Sequence, residues 1–330
     1  MLRRYVCPSI LVALLALGIL ASSPEMKAGR VADFRSEDEK VAVTGVPSQW
    51  HLQKIMAEQA WKITAGSPNI IVAVLDSGID IDHEDLSGKV LDSVNFTSSR
   101  TVEDVYGHGT LIAGLIAASV DNSMGATGVA YSSSLLNVKV ADDAGFTEQV
   151  AVARGIMWAA DNGADIINLS VVLTRPSQMV EEAVKYARDK GCVIVAAAGN
   201  NSGLRPMYPA AYQDVISVAA TDQNDRLPRW SNRGDWVTVS APGVDIYSTL
   251  PDDRYAERSG TSFATALVSG EAALLYAIAQ DTNCNGFIND EIKDAIQNQT
   301  DVMLDVTGKG RVNAQKAAET FTTPPLIDSY

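Results

Sequence analysis

The sequence predicts an α/β protein in three layers, with a mostly parallel central sheet covered by helices on both faces. Strand-like and helix-like segments alternate from Pro47 to near the end of the chain, a pattern typical of parallel sheets. The strand-like segments are continuous apolar runs, such as residues 69–76, as expected for strands buried on both faces. The 330 residues are 46% hydrophobic and 20% charged, a composition that can bury a large core.

Each element follows from its own pattern. Runs of β-branched and apolar residues predict strands at 69–76, 134–140, 165–172, 192–200, 214–221 and 236–243. Apolar residues at helical spacing predict helices at 109–120, 147–163, 176–191, 261–279 and 290–298. In such sheets a functional site is expected beyond the carboxyl ends of the strands.

The N-terminal 46 residues have a different character. Residues 1–23 carry Arg3 and Arg4 before a short apolar run and small residues, which predicts a cleaved export signal. A membrane anchor is the alternative, but such a helix needs about 20 apolar residues. Residues 24–46 are polar and indicate an extension or linker before one domain at 47–330. We therefore expect a secreted, extracellular or periplasmic protein with no stable membrane association after signal removal.

Charge and cysteine content narrow the function classes. The formal net charge is -14 and no cluster of basic residues is present, which argues against a nucleic-acid partner. Of the three cysteines, Cys7 lies in the predicted signal. Cys192 and Cys284 could form a disulfide in an exported protein, although two unpaired thiols are the favoured interpretation.

Four polar side chains lie where predicted elements begin or end. Asp76 and Asn200 close strands, and His108 and Ser262 open helices. A serine hydroxyl becomes a nucleophile when a base takes its proton, and a buried aspartate can orient that imidazole. An asparagine amide can donate to a developing oxyanion. Each residue alone also has a structural interpretation, such as a helix cap for Ser262 or a turn for Asn200.

Several longer motifs carry a family resemblance. The segments "VAVLDSGID", "GHGTLIAGLIAA", "VIVAAAGN" and "SGTSFATALVSGEAALL" occur in this order, and with "WSNRGDWVTVSAPG" and other matches they cover roughly residues 47–320. The chain resembles the subtilisin-like serine proteases, or subtilases, whose triad order the sequence follows. The resemblance implies a secreted serine endopeptidase in which Asp76 orients His108, His108 is the general base and acid, and Ser262 is the nucleophile.

The resemblance also implies the remaining site residues. Asn200 and the backbone N–H of Ser262 would form the oxyanion hole. Protein or peptide substrates would bind as an added extended strand. The matching substrate-binding positions are Gly145, Phe146, Thr147, Ser170, Val171, Val172 and, at the pocket floor, Met207.

Calcium is the cofactor that the resemblance implies, in a structural role and with no catalytic cofactor. Asp85 and Asn122 match side-chain ligand positions, and their hard oxygens suit calcium. Residues 281–291 begin like an EF-hand loop, but Ile292 stands where a bidentate Glu is required. A polar surface loop is the favoured interpretation there, and a weak calcium loop is the second.

Departures from the family pattern leave two other functions open. Phe263 follows Ser262 where methionine is common, and Thr147 and Val172 replace glycines in the substrate-binding segments. Residues 24–46 are too short for the usual inhibitory folding domain. A processing protease of narrow specificity is therefore one alternative. An inactive peptide-binding scaffold is another, against which the intact set of four polar residues argues.

Overall fold

The structure is a computed structural model that describes residues 29–31, 40–41, 48–120, 125–303 and 307–322. The predicted signal at 1–23 lies outside these residues, as does most of the extension. None of the helices within the described ranges has the length and apolar character needed to cross a membrane.

The elements are numbered in chain order. The helices are α1 (Trp50–Lys54), α2 (Ala57–Ala60), α3 (His108–Ala117), α4 (Gln149–Asp161), α5 (Gln178–Asp189), α6 (Thr261–Tyr276), α7 (Asn289–Asn298) and α8 (Ala314–Glu319). The strands are β1 (Gly29–Val31), β2 (Lys40–Val41), β3 (Ile71–Asp76), β4 (Val90–Asn95), β5 (Ser134–Lys139), β6 (Phe146–Thr147), β7 (Ile166–Leu169), β8 (Val171–Leu173), β9 (Val193–Ala197), β10 (Val215–Thr221), β11 (Val239–Pro242), β12 (Ile246–Leu250) and β13 (Arg254–Arg258).

Seven strands form the central sheet, in the order β11-β10-β9-β7-β3-β5-β4. Every pairing in it is parallel. Strand β3 lies between β5 and β7, so the chain leaves it toward one edge and returns on its other side. This reversal of strand order opens a crevice at the carboxyl end of β3, where Asp76 is the last residue. The predicted fold class is confirmed.

Helices cover both faces of the sheet with separate apolar cores. On one face α3 and α6 pack against the sheet, and on the other α4 and α5 do so. Helix α6 is buried from Thr261 to Leu275, as expected for a helix that is apolar on nearly every side. Strand β9 ends at Ala197, earlier than predicted, and Asn200, three residues beyond it, accepts from the N–H of Thr261 at the start of α6.

Several elements, among them β4, β12, β13 and α8, were not predicted from the sequence. At three further places partners distant in sequence decide a conformation that differs from the prediction. Parts of the predicted extension form strands β1 and β2, which pair with segments more than a hundred residues away. The run at 165–172 forms two strands, β7 and β8, which separate at Ser170. Residues 146–147 form strand β6, and helix α4 begins only at Gln149. Local propensity does not reveal these pairings.

Candidate active site

Asp76 and His108 form the centre of the site. Both oxygens of the Asp76 carboxylate accept from His108 Nδ1, at 2.8 and 2.9 Å. Both side chains are buried. Asp76 also accepts from the backbone N–H of Ser77 at 2.7 Å. These contacts fix the ring of His108 and leave its Nε2 as the nitrogen directed away from the carboxylate.

A second buried carboxylate, Asp104, holds the first turn of α3 in place. Its Oδ1 accepts from Ser77 Oγ and from the N–H of Gly107, each at 2.7 Å. Its Oδ2 accepts from the N–H and the hydroxyl of Thr110, at 2.8 and 2.7 Å. Burial raises the pKa of Asp104, and the bonds from Ser77 and Thr110 oppose that rise. Asp104 therefore ties the loop after Asp76 to the helix that begins at His108.

Ser262 is the second residue of α6, beside the positive end of the helix dipole. Helix α3 packs against α6, and the His108 ring lies 5.8 Å, centre to centre, from that of Phe263. Ser262 Oγ and His108 Nε2 are both buried and have no hydrogen-bond partner among the described residues. The Ser262 hydroxyl and His108 Nε2 thus lie at the N-terminal ends of two helices, α6 and α3, that pack against each other.

Asn200 is fixed by the first residue of α6. Its Oδ1 accepts from the N–H of Thr261 at 2.9 Å and from the Thr261 hydroxyl at 2.8 Å. Thr261 Oγ1 also accepts from the N–H of Gly199 at 3.0 Å. Gly199 has φ of 98°, a left-handed conformation that favours glycine. With Oδ1 held at Thr261, the amide of Asn200 directs its Nδ2 donor to the opposite side.

Asn232 supports this turn, and the sequence analysis did not assign it a role. Its Nδ2 donates to the Ala198 carbonyl at 2.8 Å, and its Oδ1 accepts from the N–H groups of Asn201 and Gly203, at 3.2 and 2.7 Å. It is fully buried. The motif "WSNRGD" was part of the resemblance, but a polar residue in a loop does not reveal which distant turn it binds. Asp104 had a weak signal, an acidic residue just before a helix.

The predicted substrate-binding segments lie on the two sides of strand β1 near Ser262, and the space between them is the predicted substrate cleft. Strands β6 and β8, which include Phe146, Thr147, Val171 and Val172, form its two walls and are not paired with each other. Gly145 leads into β6, and the Ser170 hydroxyl lies 3.4 Å from the carbonyl oxygen of Ser262. Met207 is buried in an apolar cluster with Val172 and Ala197. Strand β1 lies between the two walls and pairs with both.

The predicted calcium ligands lie only partly within the described residues. Asp85 is buried, and its Oδ2 accepts from the N–H of Ala126 at 2.8 Å and from the Tyr255 hydroxyl at 2.9 Å. Asn122 lies outside the described residues. Within the described ranges no group of three or more His, Cys, Asp or Glu side chains could hold a metal ion. Asp85 Oδ2 is therefore already a hydrogen-bond acceptor.

The EF-hand-like loop and the two cysteines of the sequence analysis lie away from the cleft, at the surface or in the core. In the loop at 281–291 the side-chain oxygens of Asp281 and Asn283 accept from backbone N–H groups of the same loop. Cys192 is buried, and its thiol donates to the Ala164 carbonyl at 3.0 Å, whereas Cys284 is exposed. These two cysteines are not joined by a disulfide.

Comparison with known proteins assigns the chain to a family. The sequence model described as the subtilase family matches residues 67–320. The chain is 44% identical over 276 residues to thermitase of Thermoactinomyces vulgaris, covering 82% of this chain and 96% of thermitase. It is 42% identical over 274 residues to a thermophilic serine proteinase of Bacillus sp. strain AK1, with 82% and 66% covered. It is 36% identical over 271 residues to subtilisin Savinase of Lederbergia lenta, with 81% and 97% covered. The chain therefore belongs to the subtilase family and is a serine-type endopeptidase.

Proposed function

We propose that this endopeptidase cuts peptide bonds with Ser262 as nucleophile, His108 as general base and acid, Asp76 as the residue that orients His108, and Asn200 as an oxyanion donor. His108 takes the Ser262 proton as Oγ attacks the substrate carbonyl, and later gives that proton to the leaving amine. Water then attacks the acyl-enzyme with His108 again as base. The Ser262 N–H and Asn200 Nδ2 stabilise the oxyanion.

The observation that carries the proposal is the pair of contacts between Asp76 and His108 Nδ1, at 2.8 and 2.9 Å. A buried carboxylate at this nitrogen fixes the tautomer and stabilises the imidazolium that forms during catalysis. In a resting structure the contact between nucleophile and base is often longer than a hydrogen bond, and it tightens when substrate binds. The unused Oγ of Ser262 and Nε2 of His108 are consistent with that state.

The proposal is tested with a phosphonate that reacts only with activated serines. We expect labelling of Ser262, located by mass spectrometry of peptides, and its complete loss in Ser262→Ala with an unchanged melting temperature. Ser87→Ala, at an exposed serine, is the matched control and should label normally. Labelling that persists in Ser262→Ala would contradict the assignment, and an unlabelled but folded parent would favour the peptide-binding scaffold.

Crowding in the cleft favours a narrow-specificity processing protease as the second candidate. A Cβ at Gly29 of β1 would lie 2.6 Å from both Leu173 Cδ2 and the Val172 carbonyl oxygen, and 2.9 Å from Thr147 Cγ2. A substrate strand in the same place would meet the same walls. A peptide-library profile restricted to a few sequences would support this candidate, whereas a broad profile would support a general endopeptidase.

We also propose a structural calcium ion that Asp85 helps to bind together with the loop containing Asn122. The hard oxygen chemistry of these residues supports it, although Asp85 Oδ2 already accepts from Ala126 and Tyr255. A metal that binds only the folded state raises its stability. Excess chelator should therefore lower the melting temperature, and an Asp85→Asn variant should show a smaller decrease. An identical melting curve with and without chelator would exclude the ion.

Export is the remaining part of the proposal. Residues 1–23 have the charged start, apolar stretch and small residues of a secretory signal. Expression of the whole chain in a bacterial host should give protein outside the cytoplasm that lacks these residues, as determined by N-terminal sequencing. Protein that keeps Arg3 and Arg4 and stays in the cytoplasm would contradict export.

A further inference from the structure

Lys139, the last residue of β5, is among the largest side chains that are fully buried. It lies in register with Asp76 of β3, the neighbouring parallel strand, at the carboxyl edge of the sheet. Taking an ammonium group out of water is costly unless the charge is paired and hydrogen-bonded. The catalytic steps proposed above make no use of this lysine, so its contacts have to account for its place beside the site.

The ammonium group of Lys139 has three acceptors, one for each N–H. Its Nζ donates to the Ser77 carbonyl at 2.7 Å, to the Glu103 carbonyl at 2.8 Å and to Asp143 Oδ1 at 2.8 Å. An ammonium has three donors and no acceptor, so this set satisfies it fully. The bond from Lys139 also lowers the pKa of Asp143, which keeps that carboxylate charged. Such charge-assisted bonds are stronger than those between neutral groups.

Two of the three acceptors lie in the loops that carry the proposed catalytic pair. The Ser77 carbonyl belongs to the loop after β3, directly beyond Asp76. The Glu103 carbonyl belongs to the loop before α3, the helix that begins at His108. Lys139 therefore holds these two loops, the catalytic loops, at one point.

The catalytic loops also touch each other directly. A Cβ at Gly78 would lie 2.7 Å from the Glu103 carbonyl oxygen. A Cβ at Gly109, the second residue of α3, would lie 2.0 Å from the Gly78 carbonyl oxygen. Because no space is left between the loops, a shift of the Ser77 carbonyl is passed on to the first turn of α3, and so to His108.

The third acceptor belongs to the turn that leads into the substrate wall β6. Asp143 lies between β5 and β6, and its side chain is 40% exposed. At the end of the turn the Thr147 hydroxyl donates to the Val140 carbonyl at 2.7 Å, which makes residues 140–147 one compact unit. The bond between Asp143 and Lys139 thus joins the wall to the catalytic loops.

We propose that Lys139 is a positioning residue that holds the two catalytic loops and the substrate wall β6 in one fixed arrangement. The proposal rests on the proposed function, since it takes Asp76 and His108 as the catalytic pair and β6 as a wall of the substrate site. Lys139 does not itself contact the reacting atoms. It acts on kcat through the two backbone carbonyls and on KM through Asp143.

Lys139→Met tests the link to the catalytic loops. The substitution keeps a long unbranched side chain but removes the ammonium group, so two carbonyls lose their donor. We expect kcat to fall by about 10- to 100-fold, because a misplacement of about 1 Å in a site can cost about 10²-fold. Lys89→Met is the matched control, since Lys89 is half-buried and its Nζ donates to the Tyr131 carbonyl, before the start of β5. It should lower the melting temperature but leave kcat unchanged in steady-state kinetics well below that temperature.

Asp143→Ala tests the link to the wall and guards against misfolding of Lys139→Met. Because Asp143 is 40% exposed, water can take its place at Lys139, and the melting temperature should change little. We expect KM to rise about two- to fivefold with kcat unchanged, the pattern of weakened substrate binding. Glu181→Ala is the matched control and should keep the parental KM. Glu181 pairs with Lys185 on α5 at the same i, i+4 spacing and is 42% exposed.

Two outcomes would overturn the inference: equal kcat in Lys139→Met and Lys89→Met, or equal KM in Asp143→Ala and Glu181→Ala. Phosphonate labelling separates the inference from the proposed function. If the function were wrong, no form with an intact Ser262 would label. If only the inference were wrong, Lys139→Met would label at Ser262 with the same initial rate as the parent.

Discussion

Thr261 at the N-terminus of helix α6 and Glu271 in its middle are equally buried, but only the side chain of Thr261 has hydrogen-bond partners among the described residues. At the N-terminus the hydroxyl of Thr261 bonds with both Gly199 and Asn200. Two turns and more along, Glu271 is fully buried, and neither of its carboxylate oxygens has a hydrogen-bond partner within the described ranges. Burial alone raises the pKa of Glu271 to about 8. Buried polar groups thus build a fixed geometry only where each has a partner.

His51 is another buried ionisable group without a hydrogen-bond partner among the described residues, but its charged form is a cation, so burial shifts its pKa in the opposite direction to that of Glu271. It is fully buried, both ring nitrogens lack partners in the described part of the chain, and burial lowers its pKa to about 3. A lone buried group is held in its neutral form. The site around Asp76 and His108 is different because a carboxylate and an imidazole face each other there.

The largest loss of activity is expected from removing the side chain of Asn200, the proposed oxyanion donor, which bonds with Thr261 at the start of α6. Asn200→Ala should lower kcat by roughly 10²–10³-fold, the usual cost of losing one such donor. Asn201→Ala, at the exposed neighbouring side chain, is the control and should keep near-parental kcat. Steady-state kinetics on one peptide substrate measures both, and a loss below about tenfold in Asn200→Ala would place the oxyanion contact elsewhere.

Glu271, whose carboxylate oxygens have no hydrogen-bond partner among the described residues, should make the stability of the protein depend on pH. The folded-state pKa of Glu271, about 8, lies above the ordinary value of 4.5. Between these values the unfolded chain binds fewer protons than the folded one, so the stability contribution of Glu271 falls as pH rises. Each pKa unit corresponds to about 1.4 kcal/mol. The unfolding free energy of Glu271→Gln should therefore rise relative to that of the parent between pH 5 and pH 8. Above pH 8 the difference should stay constant.

Urea unfolding at several pH values measures this difference in the Ser262→Ala background, where self-digestion is absent. Glu58→Gln, at an exposed glutamate, is the control and should show a parallel pH profile to the parent. Because His51 is present in every variant, its own titration cancels in the comparison. A Glu271→Gln profile parallel to that of the parent would mean that the carboxyl ionises normally.

A smaller loss of activity is expected when the hydroxyl of Thr261 is removed from the start of α6. Thr261→Val leaves the Gly199 N–H without its acceptor and takes one donor from Asn200, which should cost about 1–3 kcal/mol of stability. It should also lower kcat, because Asn200 loses part of its orientation. Thr265→Val is the control on the same helix, since Thr265 Oγ1 donates only to the Thr261 carbonyl, at 2.8 Å. Equal effects of the two substitutions on kcat would contradict a role for Thr261 in positioning Asn200.

The smallest effect on activity is expected at Phe263, whose ring packs against that of His108. Phe263→Met keeps an apolar contact of adaptable shape and should change kcat only severalfold. It should also make the enzyme sensitive to peroxide, because a thioether there becomes a polar sulfoxide. Activity before and after peroxide treatment, in parent and variant, measures this. Rapid inactivation of the parent would show that another residue is the oxidisable one.

The contrast along α6 also shows how far the sequence could predict the site. Asp76, His108, Asn200 and Ser262 were predicted as site residues because each stands at the predicted end or start of an element whose apolar pattern is strong. Asp104 and Asn232 were not identified as supports, because Ser77, which bonds with Asp104, and the Ala198 carbonyl, which bonds with Asn232, lie 27 and 34 residues away. The sequence contains the residue types for such networks but not the distances between them.

The sequence by itself determined the parallel α/β fold and its family, since continuous apolar strands, helical spacing and long motifs all depend on neighbouring residues. Only the tertiary structure decided that Gly29–Val31 is a strand in the cleft, because that strand exists through backbone bonds to β6 and β8, more than a hundred residues away. It also decided that Glu271 lacks a partner while Thr261 has two. Hydrogen bonding between distant segments depends on packing, and a local pattern does not encode it.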